Sequence, residues 1–161
     1  MTNFYSGEPT YLISVDCVIF GFDKDQLKLL LVKRMRPPQE GDWSLMGGFL
    51  QEDEQLEQAA QRILTKWTGL EQVFLEQFYT FSELGRDPGA RVISSAFYAL
   101  IKIEETDKAL TEKYSTEWID IDKLPKLIFD HPRMVQMALE IIRHKCRFEP
   151  LGFELLPEKF T

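Results

Sequence analysis

Between Gly48 and Gly69 the chain reads GFLQEDEQLEQAAQRILTKWTG, its densest run of side chains that could do chemistry. Glu52, Asp53 and Glu54 place three carboxylates in a row, and Arg62 and Lys66 follow as cations. Leu56, Ala59, Ala60, Ile63, Leu64 and Trp67 recur at helical spacing, which predicts a helix over 54–68 with one apolar stripe. Residues three and four apart share a helix face, so positions 63, 66 and 67 project together. A divalent ion such as Mg²⁺ or Mn²⁺ held at such a face would polarise a substrate oxygen and acidify bound water. Those hard cations want carboxylate oxygens in a near-octahedral array. Here the face offers a branched alkyl group, an ammonium and an indole. None of these is a ligand for such an ion, and Lys66 repels it. No catalytic residue, no metal and no cofactor are expected.

The elements around this helix set where it sits. Asp53 is suited to cap its start, Glu54 to the positive end of its dipole, and Gly69 to stop it. Residues 11–22, YLISVDCVIFGF, read as a buried strand, and 27–34, LKLLLVKR, as its hairpin partner across Asp23-Lys24-Asp25. Pro37-Pro38, Gly41 and Asp42 mark a loop, after which residues 43–46 form a short strand ending at Gly47-Gly48. Residues 73–81 and 91–103 read as two strands split by Gly85-Arg86-Asp87-Pro88-Gly89, and 115–121 as an edge strand. Asp130 caps a last helix over 131–147, with Pro132 in its first turn. Strands, helix, strands, helix in this order predict an α/β/α sandwich around a mixed sheet.

The 161 residues suit one domain, and 44% hydrophobic residues are ordinary for a folded protein. No apolar run reaches the roughly 20 residues of a membrane helix, and no secretory leader is evident, so no membrane partner is expected. Cys17 and Cys146 make neither a disulfide framework nor a zinc pattern, and a cytoplasmic setting is the default expectation. A net charge of −7 makes the domain itself a poor binder of nucleic acid.

The frame of Gly48, Glu54, Arg62, Leu64, Gly69 and Leu70 resembles the box of the Nudix hydrolases. The resemblance implies a Nudix-type fold over most of the chain. It also implies that metal-binding glutamates of the family are replaced by Ile63, Lys66 and Trp67, so the box is degenerate. Glu54 is then either a remnant of that site or a helix-start acid. Residues 85–94 resemble Nudix-related transcriptional regulators and some ADP-ribose-type hydrolases, and the segment 127–131 and the tail 149–161 are similar to the regulators. The resemblance implies an effector-binding domain over 1–147 and, over 148–161, a linker toward a winged-helix DNA-binding domain absent from this chain. Residues 4–6, 16–22 and 43–49 look closer to the arabinose-responsive branch of those regulators. The expected effector is therefore L-arabinose or a related pentose, with ADP-ribose or another nucleoside diphosphate sugar as the alternative. DNA contact is expected only through the missing domain, and a homodimer is expected from two-fold operator symmetry.

A neutral sugar needs convergent hydrogen-bonding groups and aromatic faces rather than a metal. Arg34, Trp43, Arg86, Arg91, Asp130 and His131 are the candidate pocket residues. Each has a plainer alternative: Arg34 ends its strand in solvent, Trp43 belongs to the core, Asp130 is a helix cap, His131 sits in a first turn, and Arg86 and Arg91 brace their turn or meet acidic partners. Two other functions compete. One is a hydrolase with a displaced metal site drawing on Glu52, Asp53, Glu54, Glu83 and Asp87. The other is a protein-interaction module carrying the apolar tail.

Overall fold

The strand β1, Leu12–Asp23, turns its side chains alternately to two faces. Val18, Phe20 and Phe22 enter one apolar cluster, and Val15, Cys17 and Ile19 enter another. This two-sided burial is what a central strand between two helix layers requires. The computed structural model describes residues 3–104 and 115–148, with the side chains of 146–148 left aside. The expected linker over 148–161 lies almost wholly outside them.

The strand β2, Gln26–Lys33, pairs antiparallel with β1 across Lys24-Asp25, a turn tighter than expected, with Lys24 at φ +62°. Two short strands follow: β3, Trp43–Ser44, and β4, Met46–Phe49. The expected stop at Gly47-Gly48 is absent, because both glycines pair within the sheet, opposite Asp16 and Val15. The helix α1 spans Leu56–Thr68. It starts later than expected, with Gln55 rather than Asp53 at the cap position, where Gln58 Oε1 accepts the Gln55 N–H at 2.7 Å. Gly69 at φ +73° ends it in the left-handed conformation that favours glycine.

The strand β5 covers only Glu76–Phe81, because the Val73 carbonyl accepts the Gln61 amide of α1 instead of a strand partner. The strand β6, Val92–Lys102, runs parallel to β1 over eleven residue pairs from Leu12↔Val92 to Phe22↔Lys102. The strand β7, Thr116–Asp120, pairs with β2, and a 3-10 turn at Ile121–Lys123 follows. The helix α2, His131–Phe148, closes the described chain. The seven strands form one mixed sheet with the path β3-β2-β1-β6-β5, β4 joining β1 and β7 joining β2.

Each helix covers one face. Ala59, Ala60, Ile63 and Leu64 of α1 pack on Val15, Cys17, Ile19, Leu30 and Phe97. Met134, Val135, Ala138 and Ile142 of α2 pack on Val18, Phe20, Leu29 and Leu31. This is the α/β/α sandwich with a mixed sheet that the order of elements predicted. No helix among the described residues is long and apolar enough to cross a membrane.

Candidate functional site

The box residues of α1 build structure first. Arg62 donates from Nε to Glu54 Oε2 at 2.9 Å and from Nη2 to Glu54 Oε1 at 2.6 Å, and its Nη2 reaches the Phe49 carbonyl at 3.0 Å. Glu54 Oε1 also accepts the Gln51 N–H at 2.9 Å. The Arg62 hydrogen bonds hold the Glu54 carboxyl below its ordinary range, against the opposing effect of desolvation. The pair therefore staples the loop between β4 and α1. Ile63 is 1% exposed and lies against Gly48, where a Cβ would come within 3.2 Å of Ile63 Cγ1. Trp67 is half-buried on the α1-side cluster, and the Lys66 ammonium sits 5.4 Å from its ring. The divalent ion that a Nudix-type box implies does not fit this donor set. Glu54 is taken by Arg62, and the face at 63, 66 and 67 supplies no oxygen. Among the described residues, no three of His, Cys, Asp or Glu gather to hold a metal.

Across β4 lies a second polar cluster. Arg86 in the β5–β6 turn is fixed by Asp130, with Nε to Oδ2 and Nη2 to Oδ1 both 2.8 Å, and its Nη1 donates to the Val92 carbonyl at 3.2 Å. Burial disfavours its charge, but Asp130 and the carboxylates of Asp16 and Asp87 together outweigh this and raise its pKa. Asp130 precedes α2, and its backbone carbonyl receives the N–H groups of Arg133 and Met134. The carboxylate that was expected to cap the helix faces Arg86 instead. His131, 3% exposed, accepts the Leu45 N–H at Nδ1 at 3.2 Å. The neutral ring therefore carries its proton on Nε2, which lies 3.5 Å from Asp16 Oδ1. Burial lowers the His131 pKa, opposed by Asp16 and Asp130. Asp16, 6% exposed, receives the Ser94 hydroxyl at Oδ2 at 2.5 Å.

These groups border one cavity of about 650 Å³. Six cations line it, Lys33, Arg34, Arg36, Arg62, Lys66 and Arg86, against Asp16 and Asp87; Arg62 and Arg86 are already paired with Glu54 and Asp130, which leaves four cations in the wall against two carboxylates. The cavity is thus basic within a chain of net charge −7. Three of the cations lie over aromatic rings of the same wall: Arg34 over Phe129 at 5.0 Å, Arg36 over Phe49 at 5.1 Å and Lys66 over Trp67.

Of the residues expected in a pocket, Arg34, Arg86 and His131 line this cavity. Asp130 stands behind Arg86. Trp43 packs into the α2-side core with the Lys33 ammonium 5.2 Å from its ring, and Arg91 turns away, bonding the Ser82 carbonyl at 2.7 Å and lying over Tyr11. The box residues Arg62, Lys66, Trp67 and Gly48 also line the cavity, a role not expected of them. Asp16, Lys33, Arg36 and Ser94 were missed. Asp16 had left a signal, as the one charged residue inside the apolar run YLISVDCVIFGF.

The profile of the NUDIX domain family matches residues 10–138. The chain is 33% identical over 160 residues to the ADPR responsive transcriptional repressor NtrR of Acinetobacter baylyi, covering 97% of this chain and 64% of that protein. It thus spans less than two thirds of that repressor's length. It is 36% identical over 124 residues to the ADP-ribose pyrophosphatase of Methanocaldococcus jannaschii, covering 77% of this chain and 70% of the enzyme. Among solved structures, the NUDIX domain of Shewanella oneidensis NrtR complexed with ADP ribose superposes with a TM-score of 0.74 at 28% identity. That match covers 87% of this chain and 94% of that one.

Proposed function

Because the chain belongs to the NUDIX domain family, we propose that it is the effector-sensing domain of a transcriptional regulator. Its effector on this reading is ADP-ribose or a close nucleoside diphosphate sugar, bound without hydrolysis. The observation that carries the reading is the pairing of a six-cation cavity with a helix face that cannot hold a divalent ion. The cations suit a diphosphate. The absent carboxylates remove the means of activating water against it.

The expectation of L-arabinose gives way here. A neutral pentose can accept hydrogen bonds from these cations but carries no charge to offset theirs, and both the repressor and the solved NUDIX domain are described with ADP-ribose. The likeness to a pyrophosphatase keeps hydrolysis as the second reading. Any contact with DNA is assigned to a winged-helix portion beyond this domain, in a two-fold assembly, as a longer relative would allow.

Calorimetric titration with ADP-ribose and with L-arabinose tests the ligand. ADP-ribose is expected to bind and L-arabinose to give no heat. Chromatography of ADP-ribose incubated with Mg²⁺ or Mn²⁺ tests turnover, with no release of AMP expected. AMP release that disappears in Glu54→Gln would restore the hydrolase reading, and a response to the pentose alone would remove the nucleotide one.

A further inference from the structure

The cavity is basic but not uniformly so. Arg62 and Lys66 belong to α1 on one face of the sheet, whereas Asp16 meets His131, the first residue of α2, on the other. β4 separates the two ends, and it has glycine at both central positions. Gly47 pairs with Asp16 in the sheet register, and a Cβ on it would overlap Asp16 Oδ1. The glycine leaves the carboxylate its place at the cavity wall.

That carboxylate is oddly provided for. A buried charge is costly unless an ion partner or several hydrogen bonds compensate it. Its hydrogen bond comes from the neutral hydroxyl of Ser94, with the His131 ring more distant at 3.5 Å. The Arg86 fork, close enough to feel its charge, is bonded to Asp130. A carboxylate offers about four acceptor positions, so this one retains capacity for further donors. It would repel a phosphate. It would accept hydroxyl protons in short, charge-assisted bonds. Ser14 and Ser44 beside it in the wall are small and polar, as a sugar pocket requires.

We propose that Asp16 is the specificity-determining residue of the cavity, accepting the hydroxyls of a ligand's terminal ribose while the diphosphate faces Arg62 and Lys66. The ligand thus enters sugar first. The charge pattern then separates a nucleoside diphosphate that carries a terminal sugar from one that ends in phosphate. The proposal rests on the ADP-ribose reading above and adds the direction of binding and the group that is read.

Titration of the full chain with ADP-ribose and with ADP tests it, using wild type and Asp16→Asn. Wild type is expected to prefer ADP-ribose by about tenfold or more, the scale of one or two charge-assisted hydrogen bonds. Asp16→Asn is expected to erase that preference by lowering ADP-ribose affinity, while ADP affinity stays level or rises because the carboxylate no longer repels its terminal phosphate. A purely structural Asp16 would instead lower the melting temperature and both affinities together, and that result overturns the proposal. So does an unchanged preference in a folded Asp16→Asn, or equal affinities in wild type. Gly47→Ala gives a second route should Asp16→Asn fail to fold, because it displaces the carboxylate without removing it, and it too should reduce the preference. A wild type that binds neither nucleotide overturns the nucleotide reading itself. One that binds both equally overturns only the sugar subsite.

Discussion

His131 shows how one buried side chain ties pH to folding. Burial lowers its pKa below the ordinary 6.5, so the folded state binds the proton less readily than the unfolded chain does. Such a group stabilises fully above pH 6.5, and that stability is lost as pH falls from there toward the lowered folded value. Wild type should therefore lose stability between pH 7.5 and 5.5 from this residue, by at most about 1 kcal/mol. His131→Asn keeps an acceptor for the Leu45 N–H and cannot titrate. Its loss over the same interval, read by denaturant unfolding at each pH, should be smaller by about that amount. Equal slopes in both proteins would remove His131 as the source.

The helix α1 keeps the outline of a reactive element while its side chains serve packing. Ile63→Ala should cost about 2–5 kcal/mol, the usual range for emptying a buried aliphatic site. Ile63→Glu should cost at least as much, because it buries a carboxylate against Gly48 and the apolar cluster. Chemical unfolding of both variants measures this, and an Ile63→Glu protein as stable as wild type would contradict the packing described. The apolar stripe of this helix and its end at Gly69 were legible in the sequence, because burial imposes a period that one segment reveals. What escaped depends on contacts between distant segments. The cap falls on Gln55, past the Glu54 that is drawn to Arg62, although cap preference in the local order Glu52-Asp53-Glu54 favours Asp53. β4 runs through Gly47-Gly48 because Asp16 and Val15 of β1 stand opposite, although paired glycines ordinarily read as a break. The cavity was half visible. Arg34, Arg86 and His131 were singled out by type. Asp16 was passed over because its role comes from Ser94 and His131, which are 78 and 115 positions away.

At the scale of the molecule, charge is divided between surface and cavity. The chain as a whole is acidic, so its field repels an anion at long range, while the cations of the cavity wall attract one at short range. Added salt screens both, but about 8–10 Å of screening length at ordinary ionic strength leaves enclosed contacts less affected than the surface field. Raising NaCl from 50 to 300 mM should weaken ADP-ribose binding by a few-fold, chiefly through loss of attraction to the exposed Lys66 and Arg36. Titration at both salt concentrations reads this, and an affinity independent of salt would argue against the phosphates meeting those cations. The helix α2 has a consequence at the same scale. It begins at the cavity, with His131 in the wall and Asp130 gripping Arg86, and runs 18 residues to Phe148. At 1.5 Å per residue that is about 27 Å, so a tilt of about four degrees at the cavity end swings the far end by about 2 Å. Geometrically the helix amplifies at its far end any tilt imposed at the cavity wall.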